Sequence, residues 1–129
     1  MRKVKIAQIG TSYYSHGSQI FDLVKSQSNL FEIVGYAFPE NEREKFAHLM
    51  RIFEGFREMS VEEILNDPEI EAVLIEGEEI YLTKYAIMAA EHKKHIHMEK
   101  PGSTSLSDFE RLIDTVKKNG LVFHTGYMY

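Results

Sequence analysis

The sequence predicts an α/β fold in three αβα layers, with a doubly wound parallel sheet of six strands between two layers of helices. Short apolar runs rich in Val, Ile and Phe alternate with longer segments of helical period along all 129 residues. Strands that are joined by helices run parallel, with right-handed crossovers. Strands that are covered on both faces explain why the apolar runs are nearly continuous. In such a sheet the ligand crevice lies at the carboxyl ends of the strands.

Six apolar runs predict the strands, in chain order at residues 4–9, 31–38, 56–59, 70–76, 95–98 and 121–125. The first run stops at Gly10 and the second before Pro39. Glycine and proline both interrupt a strand, so they mark these two ends. The short run at 56–59 supplies the third strand.

Five segments between these strands predict helices, at residues 16–27, 40–53, 61–65 and 81–92, and from a cap at Ser105 to residue 118. From Phe46 to Phe53 the apolar residues recur at i, i+3, i+4 and i+7, which is the period of a helix with one buried face. Ser60 and Glu63 form a capping-box pattern at the start of the third helix. Gly120 ends the last one.

Composition excludes several classes of function. The 15 basic and 20 acidic residues give a net charge of −5, which argues against a nucleic-acid surface and against a polybasic membrane surface. The chain has no cysteine, so it has no disulfide and no thiolate nucleophile, and a reducing cytoplasm is the simplest location. No stretch approaches the roughly 20 apolar residues of a membrane-spanning helix.

The turn after the first strand contains the first candidate site, the run Gly10, Thr11, Ser12, Tyr13, Tyr14 and Ser15. A dinucleotide-binding turn has glycine at three places; here Gly10 holds the first, while Ser12 and Ser15 stand at the second and third, so the motif is degraded. The other interpretation is an ordinary strand-to-helix turn with a serine cap. Tyr13 and Tyr14 either stack on a cofactor ring or pack over the sheet edge.

The end of the second strand usually presents an acidic residue to the ribose hydroxyls of the cofactor. Phe38 occupies that place, and a phenyl ring accepts no hydrogen bond of this kind. Glu40 is a substitute two residues later, while Arg43 and Lys45 could face a 2′-phosphate or simply lie in solvent. The choice between NAD and NADP therefore stays open.

The fifth strand ends in Met98-Glu99-Lys100-Pro101, followed by a Ser-Leu-Ser-Asp helix start and, later, by Thr125-Gly126-Tyr127. Together with the turn at Gly10, these motifs resemble the Gfo/Idh/MocA dehydrogenases over the whole chain. The resemblance implies a Rossmann-like, NAD(P)-binding domain. It also implies an oxidoreductase that acts on a sugar, a cyclitol or a similar alcohol or ketone.

The resemblance implies a catalytic role for Lys100, in contact with the substrate hydroxyl and the nicotinamide ribose. A lysine suits that place because its charge stabilises a developing alkoxide and because a desolvated lysine can relay a proton. Pro101 would fix the backbone after it. The cofactor-binding set that we predict is Gly10, Thr11, Ser12, Tyr13, Tyr14, Ser15, Phe38, Glu76, Glu99, Lys100 and Pro101.

Two departures from the family weaken the cofactor prediction. The fourth strand ends in Glu76, Gly77, Glu78 and Glu79, where relatives have small or neutral residues, and Leu82 replaces the usual histidine. Carboxylates beside a pyrophosphate cost about 1 kcal/mol per close pair even in water, unless they point to solvent. The alternative function is therefore a catalytically silent binding or regulatory domain that keeps the fold.

Family members carry a second α/β domain that supplies most of the substrate pocket. Residues 1–129 match only a cofactor domain, so we expect a chain that is truncated before the substrate domain and does not turn over substrate alone. Residues 127–129, Tyr-Met-Tyr, are large and mostly apolar, and such surface normally needs a partner. A homo-oligomer is therefore a further expectation.

Histidines cluster near the fifth strand, where His95, His97 and Glu99 alternate onto one face and His92 precedes them. That spacing can form a metal site. A strand that is covered on both faces favours buried, hydrogen-bonded histidines, or a solvent-facing His95 at its start. We therefore predict no metal.

Overall fold

The computed structural model describes residues 3–10, 21, 24–39, 44, 51, 53–76, 79–99 and 106–126. Within these residues, five parallel strands form one sheet in the order β2-β1-β3-β4-β5. The strands are β1 (Val4–Ile9), β2 (Phe31–Ala37), β3 (Ala72–Ile75), β4 (His95–Glu99) and β5 (Phe123–Gly126). The helices are α1 (Val61–Asn66), α2 (Glu79–Glu91) and α3 (Leu106–Lys118). The predicted α/β class and parallel sheet are confirmed.

The predicted helices at 16–27 and 40–53 fall mostly outside the described residues. Phe21, the segment 24–26 and Glu44 are helical, in agreement with both predictions. Among the described helices, none is long and apolar enough to cross a membrane.

The predicted third strand, at 56–59, is wrong for the sheet that the structure describes, which has five strands. This segment makes one isolated bridge, between Tyr36 and Glu58. The Tyr36 amide donates to the Arg57 carbonyl at 3.0 Å, and the Met59 amide donates to the Tyr36 carbonyl at 2.7 Å. Ser60 then caps α1 at once, so pairing ends after a single rung. The approach is close at Gly35, where an added Cβ would lie 2.6 Å from the Arg57 carbonyl oxygen.

One face of the sheet is covered by α2 and α3. Alternate residues of β3 and β4, such as Val73 and Met98, pack there against Leu82 of α2 and Leu112 of α3, all four essentially inaccessible to solvent. Leu82 is thus a core residue. Neighbouring residues of a strand point to opposite faces of the sheet. The remaining residues of β3 and β4 therefore lie on the face away from α2 and α3.

The opposite face is divided between two environments. Beside β2 it carries an aromatic cluster of Phe21, Tyr36 and Phe53, against which Phe38 and Phe56 pack. The rings of Phe21 and Phe53 lie 4.5 Å apart between centroids. Beside β3, β4 and β5 the same face carries polar and titratable side chains, which are described below.

Candidate functional site

The carboxyl ends of β1 and β3 lie side by side at the centre of the sheet. The chain leaves β1 toward β2 on one side and later returns to β3 on the other, so the topological switch point falls between them. In open α/β sheets the ligand crevice forms at such a point, beyond the carboxyl ends of the strands. Gly10 and Glu76, the residues that follow β1 and β3, therefore flank the candidate site.

Backbone hydrogen bonds hold these two strand ends in place. The Gly10 amide donates to the Ala37 carbonyl at 2.8 Å, and the Glu76 amide donates to the Ile9 carbonyl at 2.9 Å. Gly10 has a φ of 89°, a left-handed conformation that favours glycine. The bend that the sequence assigned to Gly10 is therefore present, at the start of the predicted phosphate turn.

Much of the predicted site lies outside the described residues, namely Thr11, Ser12, Tyr13, Tyr14, Ser15, Glu78, Lys100 and Pro101. The described part contains Gly10, Phe38 and Glu76. Glu99 pairs with Gly126 between β4 and β5, so its backbone also reaches the carboxyl edge of the sheet.

Glu76 is completely buried, with no exposed surface. The interpretation that the glutamates after β3 point to solvent is therefore wrong for this residue. Its Oε1 lies 3.8 Å from Nε2 of His97, whose side chain is 25% exposed. A carboxylate in a buried place is costly unless a hydrogen-bonding or cationic group compensates it. His97 is a group that can gain a positive charge beside it.

His97 in turn contacts His124 of the edge strand β5. The two Nδ1 atoms are 2.9 Å apart, which is a hydrogen-bond distance, and the rings stack with their centroids 5.0 Å apart. His97 and His124 are direct cross-strand partners, so their side chains share a face. His124 is exposed, and the three side chains form a continuous path from buried carboxylate to surface.

Sequence reasoning missed His124, although a usable signal existed. His97 on β4 and His124 on β5 could lie on the same face of two neighbouring strands. The register that makes them direct partners could not be read from the sequence. The solvent-facing His95 that we expected is confirmed, and its Nδ1 accepts a hydrogen bond from the Val122 amide at 3.0 Å. Among the described residues, no group of three or more metal-binding side chains is close enough to hold an ion.

A cavity of about 540 Å³ lies at the carboxyl end of β2, beside Phe38. Its lining residues are Ala37, Phe38, Pro39, Glu58, Met59, Ser60, Val61 and Glu63. Phe38 itself packs between Tyr36 and Phe53, at centroid distances of 4.8 and 4.9 Å. The ring therefore serves the aromatic cluster and forms one wall of the cavity.

Glu63 and Glu58 are the two carboxylates on this cavity, and neither was predicted from the sequence to bind a ligand. Glu63 is committed to the capping box, where its Oε1 accepts from the Ser60 amide at 2.9 Å and its amide donates to the Ser60 hydroxyl at 3.0 Å. The hydrogen bond from the Ser60 backbone lowers the pKa of Glu63. Glu58 is exposed at the single bridge to β2, a place that no local sequence pattern marks.

Comparison with known proteins gives consistent matches. The model of the Gfo/Idh/MocA family, described as an oxidoreductase family with an NAD-binding Rossmann fold, matches residues 4–127. An uncharacterized oxidoreductase of Rhizobium meliloti is 33% identical over 93% of this chain and 35% of its own. The myo-inositol 2-dehydrogenase of Thermotoga maritima is 35% identical over 50% of this chain and 20% of its own.

A solved structure of similar fold is that of biliverdin reductase from Synechocystis, in complex with biliverdin and NADP⁺. It superposes with a TM-score of 0.77 at 24% identity, covering 95% of this chain and 37% of that one. At this identity the likeness shows the fold alone. The chain thus spans about a fifth to about a third of the length of the proteins that it resembles.

Proposed function

The chain belongs to the Gfo/Idh/MocA family of oxidoreductases with an NAD-binding Rossmann fold, and from this premise we propose that residues 1–129 are the cofactor domain of an enzyme that transfers hydride between NAD(P) and a sugar, cyclitol or similar alcohol. The observation that supports this most directly is the switch point between β1 and β3, with Gly10 in a left-handed bend at the first strand end. The myo-inositol dehydrogenase relative supports a polyol substrate.

The pyrophosphate would lie over the turn that starts at Gly10, along Thr11, Ser12 and Ser15. Backbone amides at the start of a helix, together with the helix dipole, favour an anion there. Tyr13 and Tyr14 would close the mouth of the site. This part of the proposal concerns residues outside the described region, and its support is the sequence of the turn and its place after β1.

The adenosine half of the cofactor would occupy the cavity beside Phe38. Its volume of about 540 Å³ is within the usual range for a ligand pocket, roughly 300–1,000 Å³. Because Phe38 supplies no acceptor, the ribose hydroxyls would turn to Glu58, the exposed carboxylate on the opposite wall. A carboxylate in that role favours NAD over NADP, because it repels a 2′-phosphate.

The nicotinamide half would lie beyond β3 and β4, near Glu76 and Glu99. Lys100 follows directly and would contact the substrate hydroxyl, with Pro101 fixing the backbone. The neutral Lys100 amine would take up the proton of the substrate hydroxyl, and the resulting ammonium charge would stabilise the substrate oxygen as hydride leaves the carbon for the cofactor. The reactive edge would then coincide with the carboxyl end of the sheet.

Calorimetric titration of the chain with NADH and NADPH tests the cofactor proposal. We expect saturable binding of a dinucleotide, with NADH preferred. Glu58→Gln should weaken NADH binding roughly 10-fold, since hydrogen bonds to charged groups are worth about 1.5–3 kcal/mol. Glu62→Gln is the matched control, because Glu62 is an exposed carboxylate of α1 that does not line the cavity. Binding of neither dinucleotide would support the catalytically silent domain instead.

Lys100 is tested on hydride transfer by the enzyme that carries this domain, with myo-inositol as the first substrate. Lys100→Met should lower kcat at least 100-fold, in line with the usual contribution of a general acid or base, about 10² to 10⁴. NADH binding should change far less. An active Lys100→Met enzyme would remove Lys100 from the chemistry while leaving the cofactor proposal intact.

A further inference from the structure

Glu76 presents an electrostatic problem at the switch point. It is a fully buried carboxylate at the strand end where the proposed function puts an anionic dinucleotide. Two like charges about 4 Å apart repel by about 1 kcal/mol in water and by about 4 kcal/mol near a protein surface. The strand-end hydrogen bond to Ile9 is made by the Glu76 amide, so the carboxylate is not used in it.

The histidines beside Glu76 can remove this repulsion by taking up a proton. The Glu76 Oε1 and His97 Nε2 atoms are 3.8 Å apart, and His97 Nδ1 faces His124 Nδ1 at 2.9 Å. A hydrogen bond between two ring nitrogens requires one proton in the shared position. In the neutral pair the ring that accepts this bond has its own proton on Nε2, so a further proton on the free Nε2 of the other ring makes the pair cationic and offsets the carboxylate charge.

We propose that binding of the dinucleotide is coupled to uptake of a proton by the array Glu76–His97–His124, which neutralises the carboxylate as the cofactor phosphates arrive. The inference rests on the proposed function, because it needs the dinucleotide at the carboxyl ends of β1 and β3. The proton comes from solvent and stays on the array, and no covalent bond to the cofactor forms. By linkage, a cofactor that promotes protonation must itself bind more tightly when the array is already protonated.

Solvent reaches the array from the open face of the sheet. His124 is exposed on the edge strand, and a cavity of about 350 Å³ is lined by His95, His97 and His124 together with apolar residues of β1 and β3. A proton can therefore enter at His124 without crossing the cofactor crevice. The buried carboxylate and the surface are linked through two side chains.

Few other titratable groups of the described residues face this array. On β4, His95 is engaged through Nδ1 with the Val122 amide. From β1 the neighbouring side chain is the neutral Gln8, whose amide nitrogen donates to the Gly10 carbonyl at 3.0 Å. From the helical segment before β2, Val24 and Gln27 line the cavity, while Lys25 lies over the ring of Phe56.

The test is calorimetric titration of the chain with NADH near neutral pH, in buffers of different ionisation enthalpy. The dependence of the heat on the buffer gives the number of protons taken up. We expect uptake of up to about one proton per cofactor, and NADH affinity that rises by up to about tenfold for each pH unit of acidification. Glu76→Gln should abolish the uptake and flatten the pH dependence of NADH affinity.

His124→Ala is the second variant, because its exposed position on the edge strand spares the core. It should reduce proton uptake without loss of the fold. His92→Gln is the matched control and should leave the uptake unchanged, since His92 is exposed beyond α2 and its Nδ1 contacts the Met88 carbonyl.

Binding of NADH with no proton uptake would overturn the inference and leave the proposed function standing. The same uptake in wild type, Glu76→Gln and His124→Ala would also overturn it. Binding of neither dinucleotide would overturn the proposed function, and the inference with it.

Discussion

Two charged side chains are buried at opposite ends of the same sheet. Lys94 lies just before β4, at the amino end, with 5% of its surface exposed. Glu76 lies just after β3, at the carboxyl end, with none. Both carry the desolvation cost of a buried charge, but the groups that surround them differ in kind.

Lys94 is held by backbone. Its Nζ donates to the carbonyl oxygens of Asp67 and Ile70 at 2.6 and 2.7 Å, and neither of these acceptors titrates. Glu76 instead faces His97, a side chain whose charge changes near neutral pH in proteins generally. The lysine therefore connects the turn before β3 to the start of β4 through hydrogen bonds, whereas the glutamate lies beside a side chain whose charge can change. The amino end of the sheet serves stability, and the carboxyl end is the one suited to function.

A substitution in the core between the two ends of the sheet should have the largest effect on the free energy of unfolding. Met98→Ala, on the fully buried face of β4, should lower the free energy of unfolding by about 2–5 kcal/mol, through lost burial and the cavity that remains. His95→Ala, on the open face of the same strand, should lower it by about 1 kcal/mol or less, because His95 is exposed and water can replace its hydrogen bond to the Val122 amide. Urea unfolding followed by circular dichroism measures both. Equal losses would contradict the division of β4 into a structural and an open face.

Substitutions of the two buried charged residues should have the next largest effect on the free energy of unfolding. Lys94→Met should lower the free energy of unfolding by about 1–3 kcal/mol, because the Ile70 carbonyl loses the ammonium donor and the Asp67 carbonyl keeps only the Ile70 amide. Glu76→Gln keeps the shape of the side chain and should change stability by less than about 1 kcal/mol. The same urea experiment compares them. A larger loss for Glu76→Gln than for Lys94→Met would reverse the roles of the two ends.

The smallest expected effect is a pH dependence at the amino end. Burial lowers the pKa of Lys94 below its usual 10.5, and the charge of Asp67 offsets this only in part. The unfolded chain then binds more protons than the folded one between the lowered pKa and 10.5, so this group makes the free energy of unfolding rise with pH in that window.

Urea unfolding at a series of alkaline pH values checks the sign. The rise should be weaker in Lys94→Met than in wild type. Lys117→Gln is the control, since Lys117 is exposed in the last turn of α3. An unchanged slope in Lys94→Met would show that Lys94 is not the group responsible.

The sequence by itself determined the alternation of strands and helices, because apolar period and capping patterns act within a few residues. It correctly located the capping box at Ser60 and the bend at Gly10. The strand at 56–59 was wrong because a short apolar run shows only that a segment can pair. How many rungs form depends on Ser60 and α1, which immediately follow it.

Only the tertiary structure decided which polar residues are buried and which of them are in contact. Whether Glu76 points to solvent or is buried depends on what covers the end of β3, and no local pattern encodes that. The contact of His97 with His124 joins residues 27 positions apart and follows from the register of β4 against β5. Periodicity tells which residues share a face of a strand, but only the pairing of strands brings their side chains within hydrogen-bonding distance.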